Sequence, residues 1–200
     1  MKEIIDILAT PGEAIKRIGG NPRWWAPLST CTGIFFLLAW LTGCWQNLTE
    51  ALRWSSLLGP ALISPLIVGI VSLGTSALIY LLNVILGGYK PRSISFKTLF
   101  SVNIHCGVIF LLGEVVNFLL VRTSILGDHP TPLQGRFPVG LDVLLLGTDE
   151  PGIYLSILLH STSIFLIWYL VVLSIGIRVV TGTSKANAAA IAAMLWCTLV

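Results

Sequence analysis

The chain has 200 residues, of which 55% are apolar and only 10% charged, against about 25% charged in an average soluble domain. That balance excludes a water-soluble globule. Twelve Lys and Arg against nine Asp and Glu leave a net charge of +3, too small and too dispersed for the basic face that nucleic acid requires.

Residues 1–23 lack the uninterrupted apolar core and small-residue cleavage pattern of a secretory signal. They read instead as two short amphipathic helices. Ile4, Ile5 and Leu8 share a face of the first. In the second, Thr10 stands at the cap, Pro11 at the first helical position and Glu13 three residues after the cap, the pattern of a capping box. Ile15 and Ile18 then lie on one face, flanked by Lys16 and Arg17, and Gly19-Gly20 stops the helix. The expectation is an amphipathic segment on the cytoplasmic membrane surface, with docking on the bundle's own cytoplasmic loops as the alternative.

Residues 24–200 read as one transmembrane domain. A spanning helix needs about 20 mostly apolar residues, since each adds about 1.5 Å against a hydrocarbon core of roughly 30 Å. Stretches at about 25–45, 57–86, 98–121, 153–178 and 184–200 meet or nearly meet that length. None shows the strict alternation of a barrel wall. The predicted fold is therefore all-α, a polytopic bundle of five transmembrane helices.

The second stretch is the longest and carries Pro60, Pro65, Gly69 and Gly74. Its outer half is expected to kink there, as a hinge or broken helix or as a static bend. In the third, Glu114 is the one carboxylate well inside a span, and at 100° per residue it falls on the face of Asn103, near Gly107, Phe110 and Asn117. His105 points away from that stripe. The loop 123–152 holds four of the ten prolines and four of the nine acids, and is expected to form an outer lid or a binding loop. In the fourth stretch Ser156, His160, Ser163, Ser174 and Arg178 share a face, and Trp168 is expected to pack against another helix. The alanines between Ala186 and Ala193 make the fifth stretch suited to close helix approach.

Charge placement gives the orientation. Nine of the twelve basic residues fall in the N-terminal segment, the loop around Lys90 and the turn between Arg178 and Lys185. Arg53, Arg122 and Arg136 fall on the other side. Cationic segments stay in the cytoplasm, so the N-terminus is expected inside and the C-terminus outside the inner (plasma) membrane. Trp24 and Trp25 at one end of the first span, and Trp40, Trp45 and Trp54 around the other, match interfacial belts.

An ionisable group at bilayer depth costs about 2.5–3.5 kcal/mol on insertion scales, so the few present define the candidate site: Asn103, Glu114, Asn117, His160 and Ser163. Two readings stay open for them. They relay a proton or hold a cationic ligand group, or they form an interhelical hydrogen-bonded set worth about 1 kcal/mol as packing. Cys31, Cys44, Cys106 and Cys197 form no CxxC pair, so no metal site or disulfide framework is expected. There is no HExxH, GxSxG, intramembrane aspartate pair, Walker lysine loop or dinucleotide fingerprint. Neither an enzyme nor a cofactor is expected.

Several local patterns fall in one order along the chain. Thr10-Pro11-Gly12-Glu13-Ala14-Ile15 leads to Asn21-Pro22-Arg23-Trp24-Trp25-Ala26-Pro27; Gly87-Gly88-Tyr89 precedes Ser95-Phe96-Lys97; Ile167-Trp168 and Ile175-Gly176-Ile177-Arg178 precede Thr181-Gly182-Thr183-Ser184-Lys185-Ala186. Together these resemble bacterial members of the YIP domain family, named for Ypt/Rab-interacting membrane proteins. The resemblance implies a five-span membrane fold. It does not carry over GTPase binding, because the long cytoplasmic N-terminal region and the Asp-Leu-Tyr-Gly-Pro motif of the eukaryotic members are missing here. The function expected is non-enzymatic, in membrane organisation or as a partner-binding scaffold whose partners are the lipid bilayer, other membrane proteins or a second copy. The alternative is a small transporter or permease component, or a lipid-handling protein, using the stripe around Glu114.

Overall fold

The computed structural model describes residues 2–46, 54–86, 95–122, 159 and 162–199. Among them run seven helices: α1 (Lys2–Ala9), α2 (Pro11–Gly20), α3 (Trp25–Gln46), α4 (Trp54–Leu86), α5 (Phe96–Arg122), α6 (Ile164–Thr181) and α7 (Lys185–Leu199). The outer loop expected at 123–152 lies outside the described residues.

Local chemistry explains most of the helix ends. α2 starts at Pro11, whose missing N–H costs nothing in a first turn. The capping box, however, does not form. Thr10 makes no side-chain cap, and its hydroxyl donates instead at 3.3 Å to the Asp6 carbonyl oxygen, the same acceptor that the Thr10 N–H reaches at 2.7 Å at the end of α1. α2 closes when the Asn21 N–H returns to the Arg17 carbonyl at 3.1 Å. α6 is capped by Ser163, whose Oγ accepts from the Leu166 N–H at 3.0 Å. It ends at Gly182 with φ of 69°, the left-handed conformation that lets its N–H reach the Arg178 carbonyl at 2.9 Å. Ser184 caps α7 through the Asn187 N–H at 3.1 Å, and Asn187 Nδ2 donates to the Leu86 carbonyl at 2.9 Å. That last bond ties the head of α7 to an open carbonyl at the end of α4.

α5 is the axis of the structure. It packs against α3, α4 and α6, and α1 and α2 lie on it as well. More than half of its most apolar stretch is buried (56%), against 11% for the corresponding stretch of α4. α5 and α6 run antiparallel and touch closely at two glycines. A Cβ on Gly113 would stand 2.9 Å from Phe165, and one on Gly176 would stand 2.7 Å from Val102. Neither position has room for a side chain, so the two helices pack as closely as their backbones allow.

The N-terminal pair differs from the surface helix expected. Its apolar face is covered by protein: Ile7 and Ile15 are fully buried and Ile18 nearly so, all within the same core cluster as Val102, Leu173 and Ile177. Ile5, expected on the buried face, is 66% exposed, and Ile7 takes its place. The reason is that the α1–α2 pair sits across α5 and α6, with Gly19 facing Val180 and Ile15 facing Gly176. Asp6 and Arg17 bridge the two short helices with an ion pair.

Among the described residues, three stretches are long and apolar enough to cross a bilayer: Pro65–Leu86, Phe96–Leu120 and Ile164–Thr181. Trp25–Leu38 is a shorter apolar helix, and α7 has 15 residues. Within the fourth expected span, α6 starts at Ile164 behind the Ser163 cap; residues 151–158, 160 and 161 lie outside the described residues. α4 continues as one helix through Pro60, Pro65, Gly69 and Gly74. No break in it occurs at those positions.

Candidate intramembrane polar site

The polar residue that organises the interior is Asn103, and its helix position explains why. Asn103 lies on α5 where α4 and α6 both approach. Its Nδ2 donates to Ser76 Oγ at 3.0 Å and to the Ser72 carbonyl at 3.2 Å, both on α4. Its Oδ1 accepts from the Tyr169 hydroxyl of α6 at 2.8 Å. Both amide protons are thus used and the amide oxygen is engaged. Ser76 also donates to the Ser72 carbonyl at 2.6 Å, so a serine pair one turn apart forms a compact acceptor for the amide. Asn103, Ser76 and Tyr169 are all buried.

The other expected site residues do not join this node. Glu114 is half-buried on α5 and makes no hydrogen bond or ion pair among the described residues. Asn117 is likewise half-buried, three residues further on. His160, the expected partner of Glu114, lies outside the described residues. Ser163 is accounted for as the cap of α6. The stripe is not continuous towards the interior, because Phe110, between Asn103 and Glu114, is 44% exposed. A shared helical face says nothing about whether neighbouring helices cover it along its whole length: Asn103 is buried, whereas Gly107, Glu114 and Asn117 are only half-buried.

His105, off the stripe, is buried. Its Nδ1 lies 2.7 Å from the Ser101 carbonyl oxygen, one turn back on the same helix, and donates to it. Cys31 and Cys106 are buried among apolar neighbours, while Cys197 is exposed. No group of three or more His, Cys, Asp or Glu that could hold a metal occurs among the described residues.

Sequence reasoning found Asn103 but missed its partners Ser72, Ser76 and Tyr169. A signal existed for the serines, since two hydroxyls at i and i+4 within an apolar span share a face. At the N-terminal end of the bundle aromatic rings gather: Trp24 stacks on Trp25 at 3.8 Å and meets Phe100 edge-on at 5.6 Å, and Phe96 reaches Tyr80 and Phe100 at 6.3 Å.

Long apolar helices with interhelical hydrogen bonds between them and an aromatic rim at one end define a polytopic helical membrane protein. The family model for the Yip1 domain matches residues 5–200. The chain therefore belongs to the Yip1 domain family. Comparisons with the curated proteins and with the solved structures returned no match.

Proposed function

We propose that the chain is a non-enzymatic, five-span membrane protein that acts in membrane organisation or as a partner-binding scaffold, with its N-terminus cytoplasmic and its C-terminus outside. It belongs on this reading to the bacterial branch of the family, at the inner membrane. The Asn103 node carries the reading. Its hydrogen-bonding groups hold three helices together, so in this part of the interior polarity serves cohesion rather than a passing solute. α4 supports the same view from outside, since Ile70, Leu73, Leu81 and Ile85 leave an apolar face open to lipid or a membrane partner.

A photoreactive side chain placed at Leu73 or Leu81 tests the scaffold in native membranes. A discrete adduct with a second copy or one membrane protein is expected, and adducts with lipid alone would contradict it.

The second reading, a small transporter or lipid-handling protein, rests on Glu114, the half-buried carboxylate with no partner among the described residues. It predicts that Glu114→Gln abolishes function while expression persists. An unchanged phenotype ends it.

A further inference from the structure

Where α2 meets the last turn of α6, the N-terminal end of the bundle carries an open groove of about 640 Å³, with Thr10, Glu13, Lys16 and Arg178 among its lining. A second concavity of about 550 Å³ shares Thr10, Glu13 and Lys16 and continues towards Asp6 and Arg17. The charges divide into two groups. Asp6 and Arg17 neutralise each other in an ion pair. Glu13, Lys16 and Arg178 are exposed and form no ion pair among the described residues. Two cations and one carboxylate thus face the same hollow, each with unused hydrogen-bonding capacity.

We infer that this groove binds the headgroup of a zwitterionic phospholipid bearing a primary ammonium, its phosphodiester held by Lys16 and Arg178 and its ammonium by Glu13. The charge set selects this chemistry. A purely anionic headgroup would satisfy the two cations but meet the Glu13 carboxylate unfavourably. A trimethylammonium headgroup matches in charge but offers Glu13 no N–H to accept. Position points to a lipid as the source. Arg178 is in the last turn of an apolar, membrane-length helix, and Val179 beside it lines the same groove. The aromatic rim of Trp24, Phe96 and Phe100 belongs to this end of the bundle too, so the groove stands at headgroup level. The inference is independent of the scaffold reading, since a scaffold and a transporter could each hold such a lipid.

The test uses the full-length chain, purified in detergent and equilibrated with equal amounts of phosphatidylethanolamine, phosphatidylglycerol and phosphatidylcholine, with retained lipid read by native mass spectrometry. The wild type is expected to retain phosphatidylethanolamine in preference to both others. Lys16→Gln with Arg178→Gln should lower that retention about tenfold, the scale of a lost charge-assisted contact. Glu13→Gln should remove the preference over phosphatidylcholine and raise phosphatidylglycerol. All three side chains are exposed, and unchanged circular dichroism checks that the variants fold. Equal retention of phosphatidylethanolamine by the double-cation variant overturns the inference. So does a wild-type preference for phosphatidylglycerol, or displacement of the lipid by soluble phosphoethanolamine at matching concentration, which would make the ligand a free phosphate ester.

Discussion

The bundle holds two polar regions that differ in almost every respect. Around Asn103 the polar groups are buried, drawn from three helices and engaged with each other. In the α2–α6 groove Glu13, Lys16 and Arg178 are charged, exposed and without ion-pair partners among the described residues. The difference follows from what surrounds them. An unsatisfied polar group in hydrocarbon costs several kcal/mol, which favours the mutual pairing that Asn103, Ser76 and Tyr169 make. At the membrane edge water satisfies a charge, and the side chain stays free to meet a ligand. Polarity at the Asn103 node therefore acts as structure, and polarity in the α2–α6 groove is available for recognition.

Substitutions can break or sharpen that contrast, each read by thermal unfolding in detergent. The largest loss is expected from Ile15→Ala, which empties a fully buried site between α2 and Gly176 of α6, at about 2–5 kcal/mol. Gly176→Ala should cost roughly 1–3 kcal/mol, because the new Cβ would stand 2.7 Å from Val102 Cγ1 and force α5 from α6. Asn103→Leu should cost about 1–2 kcal/mol, the sum of a few interhelical hydrogen bonds of ordinary membrane strength, and Tyr169→Phe only about 0.6 kcal/mol. A much larger loss from Tyr169→Phe would mean that the node does more than bind helices together. Gly74→Ala has the opposite sign. Its Cβ meets nothing within 4 Å, so replacing a helical glycine should raise stability by up to about 1 kcal/mol.

What could be read from the sequence divides along a physical line. Properties set by neighbours in the chain were legible: the start of α2 at Pro11, the long apolar helices and the polar residue at 103. Properties set by neighbours in space were not. One miss was local: Thr10 satisfies a capping pattern, but its N–H and its hydroxyl both turn to the Asp6 carbonyl, one turn earlier in the chain. Gly113 and Gly176 look like any glycines in an apolar run until the partner helix puts Phe165 and Val102 against them. Tyr169 gives no sign in the sequence that it will meet Asn103, 66 residues away. The same limit explains the N-terminal segment. Amphipathicity established that one face must be covered, and only the fold assigns the cover to α5 and α6 rather than to lipid.

The central claim is that the Asn103 node is closed. Single cysteines introduced at Ser76 and, separately, at Glu114 of a cysteine-free background measure this directly, through their reaction in intact vesicles with a membrane-impermeant thiol reagent. The account predicts that Ser76→Cys stays unmodified from either side of the membrane until the protein is denatured, whatever Glu114→Cys does. Rapid modification at position 76 in the folded protein would place water beside Asn103 and contradict it.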